Sequence, residues 1–310
     1  MRVVITGGYG YIGSRIANHL IANGHEVRII DNLRSSVSAD LPDCELLQGD
    51  ITDYETLKTI KARGFDALLH LAAQSSGPLS AEIPDVDIKI NVLGTLNMIK
   101  WCRDNNIPRM VFASSFVVYG DHSDKEQLRE DDSCEPKSIY ALSKHTCEQL
   151  LRIYATPLGV NWNVLRMFNV YGVGQDLKRS DQGMVSIFLN LVKNNDYIPV
   201  KGRLDRFRDL IYIEDVVQGW EKCLLNDQHP NEIYNLGTGT KSEISTLIET
   251  LIDALGKTGK VMVEEVGETP GDIAGCFADI RKISTDLRYR PQYDLRKGVH
   301  KMVEWARTID

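Results

Sequence analysis

Long apolar runs are missing from this chain of 310 residues. No stretch approaches the ~20 residues that a membrane span needs, so no membrane partner is expected. Positive charge is short as well: 36 Lys and Arg stand against 43 Asp and Glu, a formal net charge of -7. A nucleic-acid binder needs a basic face, so nucleic acid is not an expected partner, whereas a small anionic ligand needs only a few local arginines. The six cysteines, Cys44, Cys102, Cys134, Cys147, Cys223 and Cys276, form no Cys-x-x-Cys pair and no zinc-like spacing with the seven histidines. Buried thiols and no metal site are the expectation. The opening MRVVITGGYG breaks its apolar run too early for a secretory signal, which points to a soluble, cytoplasmic protein. Internal repeats and low-complexity linkers are absent too.

What the chain does have is alternation. Short apolar runs, RVVITG, HEVRII, CELLQG, DALLHLA, RMVFASS and WNVLRMF, read as strands. Between them, DYETLKTIKARG, IPDVDIKINVLGTLNMIKWCRDN and SIYALSKHTCEQLLRIYAT read as helices. Near-continuous apolar strands separated by helices define a parallel sheet covered on both faces, the doubly wound α/β architecture. After about Tyr171 the alternation stops; the strand candidates DLIYIEDV and EIYNLGTG and several amphipathic helices follow. A chain past roughly 250–300 residues divides its core. The expected division is residues 1–170 as the doubly wound unit and 171–310 as a smaller α/β lobe, with the stretch 232–237 returning to the first and a ligand cleft between them.

The first strand runs into TGGYGYIGS, where Gly8, Gly10 and Gly13 fit G-x-G-x-x-G and Gly7, Gly10 and Gly13 fit the wider spacing G-x-x-G-x-x-G. A tight turn, a bare backbone and a helix N-terminus together accept a pyrophosphate. Asp31 closes the second strand in RIID, placed to accept hydrogen bonds from an adenosine ribose. These features predict dinucleotide binding. A carboxylate there repels a 2′-phosphate, so NAD is favoured over NADP, with Arg34 the one nearby opposing charge.

VFASSFVVYG ends a strand in two hydroxyls, Ser114 and Ser115, followed by apolar Phe116 and Val117. One connection later, Tyr140 and Lys144 stand at i and i+4 of SIYALSK and share a helix face. The ammonium is expected to lower the phenol from its ordinary value of about 10, giving a base usable near neutrality. Three other Tyr-x-x-x-Lys spacings occur, Tyr54/Lys58, Tyr197/Lys201 and Tyr293/Lys297. None of these follows a strand tipped with hydroxyls, and Pro199 spoils a helix in the second. Only Ser115, Tyr140 and Lys144 combine hydroxyl, base and cation at the carboxyl edge of the sheet, where ligands bind.

With these motifs in order, the chain resembles the extended short-chain dehydrogenases/reductases (Rossmann fold), specifically the UDP-glucose 4-epimerase group of NAD-dependent nucleotide-sugar epimerases and dehydratases. The likeness runs through TGGYGYIGS, DNL, GDI, HLAAQ, INVLGTLN, SSFVVYG, YALSK, LRMFNVYG, RDLIYIEDV, YNLGTG and PGDI…ADI, nearly the whole chain. It implies that Ser115, Tyr140 and Lys144 are catalytic and that Lys144 also holds the nicotinamide ribose. It implies cofactor contacts from Gly7, Gly10, Tyr11, Ile12, Gly13, Asp31, Asn32, Asp50, Ile51, Leu71, Ala72, Ala73, Asn91 and Phe168. Sugar-nucleotide contacts are implied for Ser75, Asn169, Met184, Arg208, Asp272 and Cys276. For Ser114, a satisfied strand-end hydroxyl and a cofactor contact stay equally open. A homodimer through the helices around Asn91–Trp101 and Ala141–Tyr154 is also implied by the resemblance.

Two departures sharpen the expectation. The 4,6-dehydratases of this group carry Asp-Glu where this chain has Phe116 and Val117, so elimination of water lacks its acid and base. Many family members have Arg-Pro-Gly-Asp near the nucleotide phosphates; here Thr269 precedes Pro270, leaving Arg206 and Arg281 as candidate replacements. The reading is C4 epimerisation of a nucleotide hexose or N-acetylhexosamine through a transient ketone, with NAD regenerated in each cycle. A 4-ketoreductase or an epimerase at another carbon is the alternative. An NAD-sensing regulator is disfavoured, because a sensor needs no base.

Overall fold

The computed structural model describes residues 1–34, 41–121, 127–179, 183–267 and 275–309. Thr269 and Asp272 lie outside the described residues. The first part of the chain contains β1 (Arg2–Thr6), α1 (Tyr11–Ala22), β2 (Glu26–Asp31), β3 (Glu45–Gln48), α2 (Tyr54–Thr59), β4 (Ala67–His70), α3 (Gly77–Glu82), α4 (Pro84–Ile88), α5 (Gly94–Asn105) and β5 (Arg109–Ser115). There follow β6 (Gln127–Leu128), α6 (Ile139–Leu150), β7 (Asn161–Met167), β8 (Asn169–Tyr171), α7 (Met184–Asn194), β9 (Tyr197–Val200), β10 (Phe207–Arg208), β11 (Leu210–Tyr212) and α8 (Ile213–Leu225). The last elements are β12 (Glu232–Leu236), β13 (Ser242–Glu243), α9 (Ile244–Ala254), β14 (Met262–Glu265), β15 (Gly275–Ala278), α10 (Arg281–Asp286) and α11 (Leu295–Ala306).

Seven parallel strands form one sheet in the order β12-β7-β5-β4-β1-β2-β3. Side chains alternate across a strand, and the core follows that period. Val3, Ile5, Val111 and Leu165 pack with Ile16 and Leu20 of α1 and Trp220 of α8. Val4, Leu68, Phe112 and Val164 pack with Met98 and Trp101 of α5 and Cys147 of α6 on the opposite face. The fold is therefore a doubly wound α/β sheet. The chain leaves β1 toward β2 and β3, then crosses back to β4 on the other side, so the strand order reverses beside β1, where such sheets bind ligands. The shorter strands form a four-stranded sheet, β13-β10-β15-β6, and the pairs β11-β8 and β14-β9.

Strand β12 is an edge strand, and unpaired edges invite association. Its outward backbone groups are covered by side chains: Lys282 donates to the Ile233 carbonyl at 2.8 Å, and Glu130 accepts from the Asn235 N–H at 2.8 Å.

Three stretches differ from their sequence pattern. The helix expected through DYETLKTIKARG stops at Thr59, because α5 holds the next residues: Trp101 Nε1 donates to the Ile60 carbonyl at 3.0 Å and Asn105 Oδ1 accepts from Ala62 N at 2.9 Å. DLIYIEDV is strand only to Tyr212; Ile213 opens α8, whose first turn carries Glu214 and Asp215, charges that suit a helix N-terminus. The long helices contain π-helical segments at Lys89–Leu93 and Leu151–Ala155, a local widening that often marks functional regions. Among the described residues no helix is long and apolar enough to cross a membrane.

Candidate active site

The glycine turn after β1 is built by exclusion of side chains. Gly7 has a φ of +68°, and a Cβ there would lie 2.8 Å from the Ala72 backbone; a Cβ on Gly13 would lie 2.1 Å from the Gly7 carbonyl oxygen. On Gly10 it would meet only the Gly7 oxygen, at 3.3 Å, and otherwise open space. Gly10 is also the N-cap of α1 and supplies no side-chain cap, so the helix end stays available to an anion. The residues present fit a dinucleotide. Thr6 Oγ1 accepts from the N–H groups of Leu71 and Ala72, both at 3.2 Å, which brings the end of β4 and Ala73 beside the turn. Tyr11 and Ile12 turn their side chains inward: the Tyr11 phenol is buried, held well above its ordinary value by burial and then by the charge of Glu214, and Ile12 packs on the core. Any contact these two make with a phosphate is therefore through the backbone.

At the end of β2, Asp31 accepts from Tyr9 N at 3.1 Å and Leu33 N at 2.8 Å, which fixes its carboxylate at the rim. Asn32 donates to Asp50 at 3.2 Å, and Thr52 caps the other oxygen of Asp50. Burial works to raise the Asp50 carboxyl, but these hydrogen bonds and Arg34 outweigh it and hold it low. Arg34 lies 3.5 Å from Asp50 and is paired there. Ile51 is buried against Gly94 of α5.

Ser114 and Ser115 part company at the tip of β5. Ser114 Oγ donates to Glu148 Oε1 at 2.5 Å and is fully buried, so of its two open readings the structure has the satisfied hydroxyl. Ser115 Oγ accepts from Val117 N at 3.5 Å and lies near enough to the Tyr140 phenol to work toward its ionised form. Lys144, 3% exposed, donates from Nζ to the Ala113 carbonyl at 2.8 Å and stands 5.9 Å from the Tyr140 ring centroid. The trio therefore meets at one point, but the expected electrostatics do not. Burial pushes the Tyr140 phenol up to about 12, Ser115 works against this, and Asp87 adds to it. Burial pulls Lys144 down to about 8 against the opposing pull of Cys147, Asp87 and Glu148. The expectation of a depressed phenol is corrected: the ammonium is engaged with the strand backbone, and desolvation dominates both groups.

Phe116, after Ser115, stacks on Phe168 with centroids 5.2 Å apart and planes at 19°. Val118, Tyr119, Leu128, Cys276 and Ala278 complete this small core, and burial pushes the Cys276 thiol up to about 12. The apolar residues after the two serines thus form a wall beside the trio. Directly after Phe168, Asn169 is held to the Asp209 carbonyl through its backbone at 3.1 Å and its side chain at 3.2 Å. Asp209, fully buried, accepts from Thr238, Gly239 and Ala278. Arg208 donates to the Phe207 carbonyl at 2.7 Å, and burial holds its guanidinium below its ordinary value. Ser75 is exposed before α3, Met184 opens α7, and Asp272 is outside the described residues. Neither candidate replacement for the missing arginine is uncommitted: Arg206 donates to the Lys201 and Arg203 carbonyls, and Arg281 is bound to Asp279.

Sequence reading missed the groups that set this geometry. Glu148 pairs with Arg166 at 2.7 Å, both essentially buried, and ties α6 to β7; it follows Lys144 by four residues, a helix-face spacing that could have singled it out. His70 bridges Thr6 Oγ1 at 2.7 Å and Thr95 Oγ1 at 3.1 Å, and burial lowers it to about 3, so its ring is neutral. Asn91, which the sequence reading did name for the cofactor, bonds Gln74 and Ser143. Cys134, His145 and Glu148 offer ligand atoms within 4.8 Å of one another, a cluster the sequence spacing did not show, although its carboxylate is already bound by Arg166. The decoys fall elsewhere: Tyr54 bonds Asp104 at 2.5 Å on the surface, Tyr197 lies in β9, and Tyr293 precedes α11 with Lys297 over its ring.

A glycine cradle at the switch point and a Ser-Tyr-Lys trio beside it define a dinucleotide-dependent enzyme of the extended short-chain class. Residues 3–237 match the NAD dependent epimerase/dehydratase family, and the chain belongs to it. NAD is its cofactor. Solved structures are similar over the whole length. The UDP-glucose 4-epimerase of Thermotoga maritima, with UDP-glucose, aligns at a TM-score of 0.93 and 28% identity, covering 100% of this chain and 99% of that one. The UDP-N-acetylglucosamine 4-epimerase of Methanobrevibacter ruminantium, in complex with UDP-N-acetylmuramic acid, aligns at 0.92 and 29%, with 100% and 99% covered. The UDP-glucose 4-epimerase of Thermus thermophilus, in complex with NAD, aligns at 0.88 and 32%, with 99% of each chain covered.

Proposed function

We propose that the protein is an NAD-dependent nucleotide-sugar 4-epimerase. The observation that carries this reading is the meeting of Ser115, Tyr140 and Lys144 at the tip of β5, with Phe116 and Val117 following in place of an acid–base pair. When bound, NAD supplies an acceptor and donor of hydride and, in its oxidised form, a positive charge. Tyr140 exchanges the proton of the sugar hydroxyl at its phenol oxygen, and Ser115 Oγ, beside that phenol, orients the proton. Lys144 places a cation below the phenol and meets the nicotinamide ribose. The Phe116–Phe168 wall keeps water and proton donors from the carbon next to the ketone, so the ketone is returned to alcohol rather than driven to elimination.

In this reading, residues 1–170 with β12 hold the cofactor, and 171–310 hold the sugar nucleotide. Asn169, Met184, Arg208 and Asp272 belong to the second ligand, where a guanidinium suits phosphate oxygens. Cys276 leaves a low wall that admits a 2-acetamido group, so an N-acetylhexosamine nucleotide is an accepted substrate. Leu93, Leu142 and Ile153 are exposed on the helices expected to pair with a second copy, which supports a homodimer; sedimentation would test it. A cytoplasmic location accords with nucleotide-sugar chemistry. The test of function is conversion of UDP-glucose or UDP-N-acetylglucosamine to its C4 epimer without added reductant. Net consumption of reduced cofactor would favour the ketoreductase instead.

A further inference from the structure

One buried carboxylate beside this site has no assigned task. Asp87, on α4, has no solvent exposure. Its Oδ2 accepts from Gln74 Nε2 at 2.9 Å, and its Oδ1 has no hydrogen-bond partner among the described residues. Helix α4 packs on α6, which carries Tyr140 and Lys144. The same network grips Tyr140 by its backbone. Gln74 N donates to Asn91 Oδ1 at 2.9 Å, Asn91 donates to Ser143 Oγ at 3.0 Å, and Ser143 donates to the Tyr140 carbonyl at 2.9 Å. From α3, Ser80 Oγ accepts from Tyr140 N at 3.2 Å.

The charges around Lys144 can be counted element by element. From β4, His70 is a neutral ring. From α6, Cys147 is a buried thiol pushed up to about 11 by burial, and Glu148 is already paired with Arg166. From α4 comes Asp87, which forms no ion pair among the described residues yet acts electrostatically on both Lys144 and Tyr140. An ammonium taken out of water needs a counter-charge, and among the described residues Asp87 is the carboxylate here not already cancelled by a cation partner.

We propose that Asp87 is a positioning residue for the Tyr140–Lys144 pair, its buried carboxylate serving as the counter-charge that keeps Lys144 an ammonium. This rests on the reading of Tyr140 and Lys144 as the reacting pair. Without Asp87 the lysine sheds its proton at lower pH, and the cation is missing when the phenol must ionise.

The first test needs no substrate, so it can fail independently of the epimerase reading. Asp87→Asn keeps the shape and can still accept from Gln74. Thermal unfolding of cofactor-free wild type and D87N is followed from pH 6.5 to 10.5. The deficit of D87N should be largest where Lys144 is charged and should shrink as the pH rises through about 8. In a K144M background the same deficit should lose its pH dependence. A deficit independent of pH would mean a purely structural role and overturn the proposal. Should D87N not fold, D87E, which keeps the charge, should fold and retain the wild-type pH dependence; loss of that dependence in D87E counts against the proposal equally. With substrate, the alkaline limb of kcat should move down by about one pH in D87N and return in D87E. An unmoved limb would also overturn it.

Discussion

Lys144→Met should make the cofactor-free protein more stable while disabling it. The methionine keeps the unbranched stem and removes the ammonium, which sits in a site that lowers its proton affinity from 10.5 to about 8. Each tenfold change in that affinity is worth about 1.4 kcal/mol, so keeping the cation buried at neutral pH costs ~3 kcal/mol. The variant also loses the bond from Nζ to the Ala113 carbonyl, so ~3 kcal/mol is the upper limit of the gain. Because the folded value is depressed, wild-type stability is full above 10.5, is lost as the pH falls from there to 8, and is constant below. The variant lacks this slope. At roughly 2 °C per kcal/mol for a chain of this size, K144M should melt up to ~6 °C higher at pH 7, and the gap should close toward pH 10.5. Scanning calorimetry of both proteins across that range measures it, with turnover assayed in parallel. A gap that stays constant with pH, or a variant that melts lower at pH 7, would refute the reasoning that desolvation of Lys144 dominates its site.

The remaining expectations concern chemistry and selectivity. Tyr140→Phe should cut turnover by ~10²–10⁴, the usual loss of a general base, while NAD binding measured by titration persists; Tyr54→Phe, whose phenol bonds Asp104 on the surface, is the matched control and should change nothing. The cofactor-free protein should bind NAD more tightly than NADP by calorimetric titration, because the carboxylate of Asp31 closes β2 where a 2′-phosphate would be repelled and Arg34 is paired with Asp50; the reverse preference would show that Arg34 leaves that pair. Cys276→Tyr should lower kcat/KM for the N-acetylhexosamine nucleotide and spare the plain hexose, since a larger ring in this packed wall takes the space of the acetamido group. An unchanged ratio would mean that Cys276 is only a packed thiol in the cluster with Phe168 and Ala278.

How much of this could be read from the sequence depends on how local the determinants are. Strands such as RVVIT and RMVFASS announce themselves by apolar content, and the glycines of TGGYGYIGS by their spacing, because each reports its own backbone. The Tyr140–Lys144 pair is likewise a helix-face relation four residues long. What escaped depends on partners distant in sequence. The end of α2 is set by Trp101 and Asn105 reaching back from α5. The fate of Ser114 is decided by Glu148 and Arg166. The proton affinity of Tyr140 was misjudged because the sequence shows a lysine nearby but not the depth of burial that outweighs it. Nothing in the local sequence singles out Asp87, and only the packing of α4 on α6 puts it against the site.

The central claim is that one turnover oxidises and re-reduces the same sugar carbon without elimination. The direct measurement is NMR of purified protein incubated with UDP-glucose and, separately, UDP-N-acetylglucosamine, with catalytic NAD and no added reductant, in wild type and Y140F. The account predicts the C4 epimer from wild type at an equilibrium ratio, no 4-keto-6-deoxy product, and almost no conversion by Y140F. Accumulation of a 4-keto-6-deoxy sugar, or undiminished epimerisation by Y140F, would contradict it.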